Sequence, residues 1–459
     1  MKQWTLVIVI VLLFTALNLI YPIQSSMEWI VPIYAPHNES DHIVLALESE
    51  GAFNDTPTRT FYACVSRNVC LNRKHGLFVL RTQTELEWLK CPPVHVMTRH
   101  DIDTDSRALF EIPYRTMTTL EGPIHWETHA TALVMHRFYP FNFYHALIND
   151  WVSMVATWRR VHEQRDHYPV ILKNVPPPTR TDHVHVLFLD EYTTTTESNI
   201  RIWNETGFFY RVVSEYKLDV TTCYPLAIIG NGNMDTQVVR NTRLTRADMQ
   251  VVQHLLWYRL GVHPQPMTCR TCSIPTLLIS RPTYRCITNV ADLERLLHQK
   301  GFAPKTMVFS SETSLADQAK QWVDVPLVVS MHGAELSYIT LMRPGSAVLE
   351  MFMYRFHSYA FLSTSQALGH YYYNWTNLSR GRVLLNSQSW PAEIQAEYHQ
   401  LPSEQRTCLD RNVLCEACSI QPSHALCHFL KMYQDTSVDL VAIGLILDQI
   451  HARLVSSIV

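Results

Sequence analysis

Between residues 276 and 375 short apolar runs alternate with amphipathic stretches of about ten residues, a rhythm that few folds accommodate. The runs predict strands at 276–280, 306–309, 327–330, 347–351 and 371–375, separated by helices at 290–299, 315–323, 334–342 and 357–368. Strands joined through helices must run parallel, because only a crossover of that length returns the chain to the same end of the sheet. A sparser version of the pattern precedes it. Residues 131–135 read as a buried strand, and Asn142 is placed to cap a helix running to about Glu163. Apolar strands follow at 184–189 and 226–229. The expected class is therefore α/β, built in two halves joined across the proline- and cysteine-containing stretch 261–275. Residues 426–459 are helical in period and are expected to pack back across the first half.

The beginning of the chain is read differently. Lys2 precedes an apolar run from Trp4 to Ile20, with Tyr21 and Pro22 behind it. About 17–25 such residues span a bilayer as a helix, and Ile23-Gln24-Ser25-Ser26 after it supplies the small residues of a signal-cleavage site poorly. We expect a cytosolic tail at 1–3, a single-pass type II anchor at 4–23, a polar stem at 24–57, one α/β domain at 58–262, a second at 263–400 and a helical segment at 401–459. Sequons at Asn38, Asn54, Asn204, Asn374 and Asn377, together with 11 cysteines, agree with a lumenal, disulfide-forming location. Cys269-x-x-Cys272 and Cys415-x-x-Cys418 lie too far apart in the chain for a zinc ribbon, so no metal site is expected from them. The net charge of −3 gives no electrostatic case for nucleic acid.

In open parallel sheets ligands bind beyond the carboxyl ends of the strands, which directs attention to the loops there. With 13 glycines in 459 residues, no glycine-rich phosphate loop is available. Gly230-Asn231-Gly232 begins like a dinucleotide fingerprint but lacks its third glycine. Asp101-Ile102-Asp103 has the form of a metal-holding pair and is read as a solvated loop. Met331-His332-Gly333-Ala334-Glu335 passes from a strand straight into a helix and could seat a phosphate, although a lone His-Gly pair taken by itself suits a tight turn better. The second cationic loop, Ser280-Arg281-Pro282-Thr283-Tyr284-Arg285, should open on the same sheet edge and favours the phosphate reading. Glu350, near the end of the next strand, could accept from a ribose or sugar hydroxyl or pair with an arginine. In the first half, His145 and Asp150 at the start of the long helix are candidates for a general base, against the plainer reading of a core histidine.

Several stretches together resemble glycosyltransferase family 61: Thr276-Leu277-Leu278-Ile279-Ser280-Arg281 with Arg285, Glu312 with Leu315-Ala316-Asp317-Gln318, residues 328–336, Pro344 through Glu350, Met432 through Leu440 and, weakly, Asn142 through Asp150. The resemblance implies a GT-B architecture, with two Rossmann-like domains facing across a cleft. It implies a UDP-GlcNAc donor bound by Ser280, Arg281, Arg285, Met331, His332, Gly333, Ala334 and Glu350, and an acceptor facing His145 and Asp150. The expected acceptor is a protein-linked sugar such as O-mannose, or a protein hydroxyl, in the endoplasmic reticulum or Golgi lumen. The chain is read as the transferase part without the fibronectin type III domain that some members add. Inverting transfer without a cofactor or metal is expected, with a xylose or arabinose donor, direct transfer to Ser/Thr, or an inactive glycan-binding protein as the alternatives.

Overall fold

A computed structural model describes residues 32–34, 42–47, 61–80, 88–90, 94–95, 109–110, 113–117, 122–137, 140–178, 180–190, 199–215, 220–230, 246–265, 273–308, 313–384, 390, 392–410 and 432–457. The expected anchor at 4–23, Asn38, Asn54, Asp101 to Asp103, Glu312 and both Cys-x-x-Cys pairs lie outside these residues. No described helix is long and apolar enough to cross a membrane.

Two sheets organise the chain. In the first, four parallel strands, β1 (Thr131–Met135), β2 (Val184–Phe188), β3 (Phe209–Val212) and β4 (Thr221–Ile229), lie in the order β3-β2-β1-β4. The antiparallel strand Phe61–Asn72 extends the sheet beyond β4, and Cys70 and Cys223, directly opposite each other, are joined by a disulfide. The second sheet is all parallel: β5 (Ile274–Ile279), β6 (Phe302–Met307), β7 (Leu327–Met331), β8 (Ala347–Phe352) and β9 (Tyr371–Thr376), in the order β6-β5-β7-β8-β9. β1, β7 and β8 are buried at every residue, as strands covered on both faces must be, which explains their largely apolar runs, interrupted only by Thr131, Ser330 and Glu350.

Most expected elements stand where the periodicity puts them, and the departures have physical causes. β6 begins at Phe302, earlier than the apolar run suggested, because it is an edge strand that tolerates Pro304 and exposed Ala303 and Lys305. The segment after β7 is a 3₁₀ helix, Ala334–Leu341, instead of an α-helix. Its last carbonyls are satisfied from outside: Gln253 Nε2 donates to Thr340 and Met342, and Trp257 Nε1 donates to Leu341. Both donors sit on the helix Arg246–Leu260, which thereby joins the two halves. The expectation that the chain's end packs on the first half is corrected. The helix Leu440–Ser456, capped by Asp439, buries Ile443, Leu447, Ile450 and Leu454 against Leu293, Leu297 and Phe302 of the second sheet's layer.

The first half is also locked by charge. Asp248 is fully buried and accepts from Arg159 and Arg160 at 2.6 Å each. Removing one partner of a buried ion cluster strands the others, at about 3–5 kcal/mol. Asp248→Ala is therefore expected to lose stability on that scale in a urea melt; a change within experimental error would show that the arginines relax into solvent.

Candidate functional site

The strand orders single out two positions. In the second sheet β5 has β6 on one side and β7 on the other, so the connections diverge between β5 and β7 and leave a crevice at their carboxyl ends. The loop after β5 carries Ser280, Arg281 and Arg285, and the loop after β7 carries His332, Gly333, Ala334 and Glu335. The two loops touch. Arg281 forms an ion pair with Glu335, and Arg285 Nη1 donates to the carbonyl of His332 at 2.9 Å. A Cβ on Gly333 would fall inside van der Waals contact of both the Arg281 guanidinium and the Glu335 carboxylate, so any larger residue there would push the ends of those two side chains aside.

Arg285 is buried and takes the left-handed backbone conformation, φ 57°, a state that costs a non-glycine residue about 1–3 kcal/mol and recurs at ligand sites. Burial and then the neighbouring Arg281 charge push its guanidinium below its ordinary pKa. The Nε atoms of both arginines are buried without a hydrogen-bond partner among the described residues. Two cations facing one carboxylate, with orphaned donors, form a cluster short of negative charge. Tyr284 and Tyr433 flank it: the Arg281 guanidinium lies 5.2 Å from the Tyr284 ring and that of Arg285 4.9 Å from Tyr433.

Tyr433 arrives by a pinned segment that the sequence reading left without a role. Asp435 accepts from the Cys286 amide, and Gln434 bonds both the amide and the carbonyl of Tyr354.

Three expected contacts are revised. Glu350 is fully buried, with its oxygens engaged by His332 Nδ1 at 2.5 Å and by the Tyr372 hydroxyl, so it supports the histidine and does not meet a sugar. Met331 lies in the core of the second sheet. Asn377 is buried while Asn204 and Asn374 are exposed, so the folded chain has no room for a glycan on Asn377.

The first sheet has the matching position. Its order changes direction between β1 and β4, and the chain leaving β1 starts a helix that is π-type over His145–Val152 and α-type over Ser153–Glu163. Asn142 caps it as expected, accepting from the Tyr144 amide. His145 Nδ1 meets Asn149 Oδ1 at 2.8 Å, and burial, offset in part by that bond, lowers the imidazole pKa to about 4. Asp150 is fully buried, so its carboxylate is closed to any acceptor in this structure, against its expected role. Arg137 and Asp190, unmarked in the sequence reading, form a fully buried bidentate pair at the carboxyl ends of β1 and β2.

The two positions face each other through aromatic contacts. Tyr144, beside His145, packs edge-on against Phe361 at 5.2 Å, and Phe361 lies 5.5 Å from His332. Phe143 stacks on Tyr338 at 4.6 Å, and Arg201 donates to the Tyr338 hydroxyl.

Residues 143–349 match the family model Glycosyltransferase 61. The chain is similar to Protein O-linked-mannose beta-1,4-N-acetylglucosaminyltransferase 2 of Mus musculus, 29% identical over 174 residues, and to the Bos taurus protein of the same name at the same identity and length. Each alignment covers 36% of this chain and 28% of the relative. For the Xenopus laevis protein it is 29% over 196 residues, 41% of this chain and 33% of that one. The match thus spans a third or less of each relative's length.

Proposed function

We propose that this member of glycosyltransferase family 61 is an inverting transferase that moves GlcNAc from UDP-GlcNAc to a protein-linked O-mannose or a protein hydroxyl in the secretory pathway. The observation that carries the reading is the anion-deficient pair Arg281 and Arg285 at the divergence of the second sheet. A diphosphate placed there would meet two guanidiniums and the amides at the start of the 3₁₀ helix, with Tyr284 and Tyr433 as walls. As the anomeric carbon is displaced, UDP gains charge, and preformed cations stabilise it most at that moment. The first half would present the acceptor across the junction near His145, in a GT-B arrangement. An N-terminal anchor at residues 4–23 would hold the catalytic part in the endoplasmic reticulum or Golgi lumen.

Glu335 beside Arg281 favours one further consideration, since a carboxylate at the donor edge would help select the sugar. Release of UDP from UDP-GlcNAc, UDP-xylose and UDP-arabinose, with and without an O-mannosylated peptide, tests both readings. UDP-GlcNAc is expected to be preferred, with turnover unchanged by EDTA. Preference for a pentose donor would replace the donor assignment, and loss of turnover in EDTA would overturn the metal-free mechanism.

A further inference from the structure

We propose that His332 is the general base of the transfer, positioned by Glu350 and Tyr372; the inference rests on reading the site as an inverting transferase. Two histidines flank the junction, and their partners differ. Nδ1 of His145 meets the neutral amide of Asn149. Nδ1 of His332 meets a fully buried carboxylate, Glu350, whose second oxygen is held by the Tyr372 hydroxyl. A base that must become an imidazolium is helped by a carboxylate behind it and far less by an amide.

With Nδ1–H donated to Glu350, the lone pair of the neutral ring lies on Nε2. Nε2 has no hydrogen-bond partner among the described residues, and the side chain keeps 12% exposure. The ring is fixed by Phe352, Phe356 and Phe361, whose centroids are 5.6, 5.0 and 5.5 Å away. The charged groups facing it are Glu350 from β8, backed by Tyr372 of β9, and Arg285 and Arg281 from the loop after β5, the latter paired with Glu335. Burial is the main influence keeping the ring neutral before reaction, and the two arginines act in the same direction.

In the step itself the acceptor oxygen bonds to the anomeric carbon as its proton passes to Nε2. The carbon–oxygen bond to the diphosphate breaks, and its electron pair leaves with UDP beside Arg281 and Arg285. The Nδ1 proton stays between His332 and Glu350, whose charge faces the new imidazolium.

The full chain, assayed with UDP-GlcNAc and an O-mannosylated peptide, tests this. His332→Asn is expected to lower kcat about 10²–10⁴-fold while calorimetric affinity for UDP changes little. Glu350→Gln should move the acid limb of the kcat profile to lower pH with little change in KM, because the imidazolium loses its counter-charge. Tyr372→Phe, the gentler change, should move the limb the other way, because a less solvated carboxylate holds the imidazolium more strongly. Circular dichroism across the same pH range separates these shifts from unfolding. A wild-type chain that turns over no donor would sink the transferase reading and the base with it. A wild-type chain that does, while His332→Asn keeps kcat within tenfold or the limb stays fixed in both positioning variants, would sink the base alone.

Discussion

Replacing Arg281 by alanine is expected to lower kcat/KM for UDP-GlcNAc by about 10²–10³-fold, the loss typical of one preformed donor to developing charge. The size follows from the environment. Arg281 is only 12% exposed, and its neighbour Arg285 is buried, so little water competes for the phosphate. The fold should survive, because the one ion pair lost is the contact with Glu335 at the rim. Gly333→Ala should reproduce much of the effect without touching a charge, since its Cβ would displace the Arg281 guanidinium. Calorimetric titration with UDP checks both variants. Unchanged affinity in Arg281→Ala would mean that the diphosphate binds elsewhere, whereas weakened affinity in Arg281→Ala with none in Gly333→Ala would mean that the guanidinium has a second seat.

What the sequence disclosed of this site, and what it withheld, follows the range of the interactions. Strand runs such as 131–135 and 347–351 were readable because burial on both faces leaves an apolar imprint within five residues. The two loops after β5 and β7 were readable because parallel strands send their ends to one edge. The His145–Asn149 contact is a spacing of four on one helix. By contrast, Glu350 looks locally like any strand-end carboxylate, and only the pairing of β8 with β9 and the turn after β7 show that it is spoken for by Tyr372 and His332. Tyr433 reaches Arg285 from far along the chain, and no local pattern announces that. The carbonyls at the end of Ala334–Leu341 are likewise satisfied by Gln253 and Trp257, side chains from a helix that precedes the whole second sheet.

Acid should unfold this chain well before its carboxylates are neutralised. His145 and His370 are both buried, and burial lowers each imidazole to about 4, offset in part by the bonds to Asn149 and, for His370, to the Ile339 carbonyl. In the unfolded chain both titrate near 6.5. A folded pKa below the unfolded value means that the unfolded state binds protons first, so the stability is complete above about pH 6.5 and falls as pH drops toward 4. Each histidine accounts for about 3 kcal/mol across that window, a sizeable share of the roughly 5–15 kcal/mol that holds a domain. His332, lowered by burial, adds in the same direction. Asp435, buried and raised by burial, acts oppositely, losing its contribution as pH rises through its folded value. Urea midpoints at pH 7 and pH 5 should therefore differ strongly in the wild-type chain, and His370→Gln should flatten the dependence by the share of one histidine. Equal midpoints at the two pH values would show that these rings take up protons in the folded state, and that the buried sites open to water without unfolding.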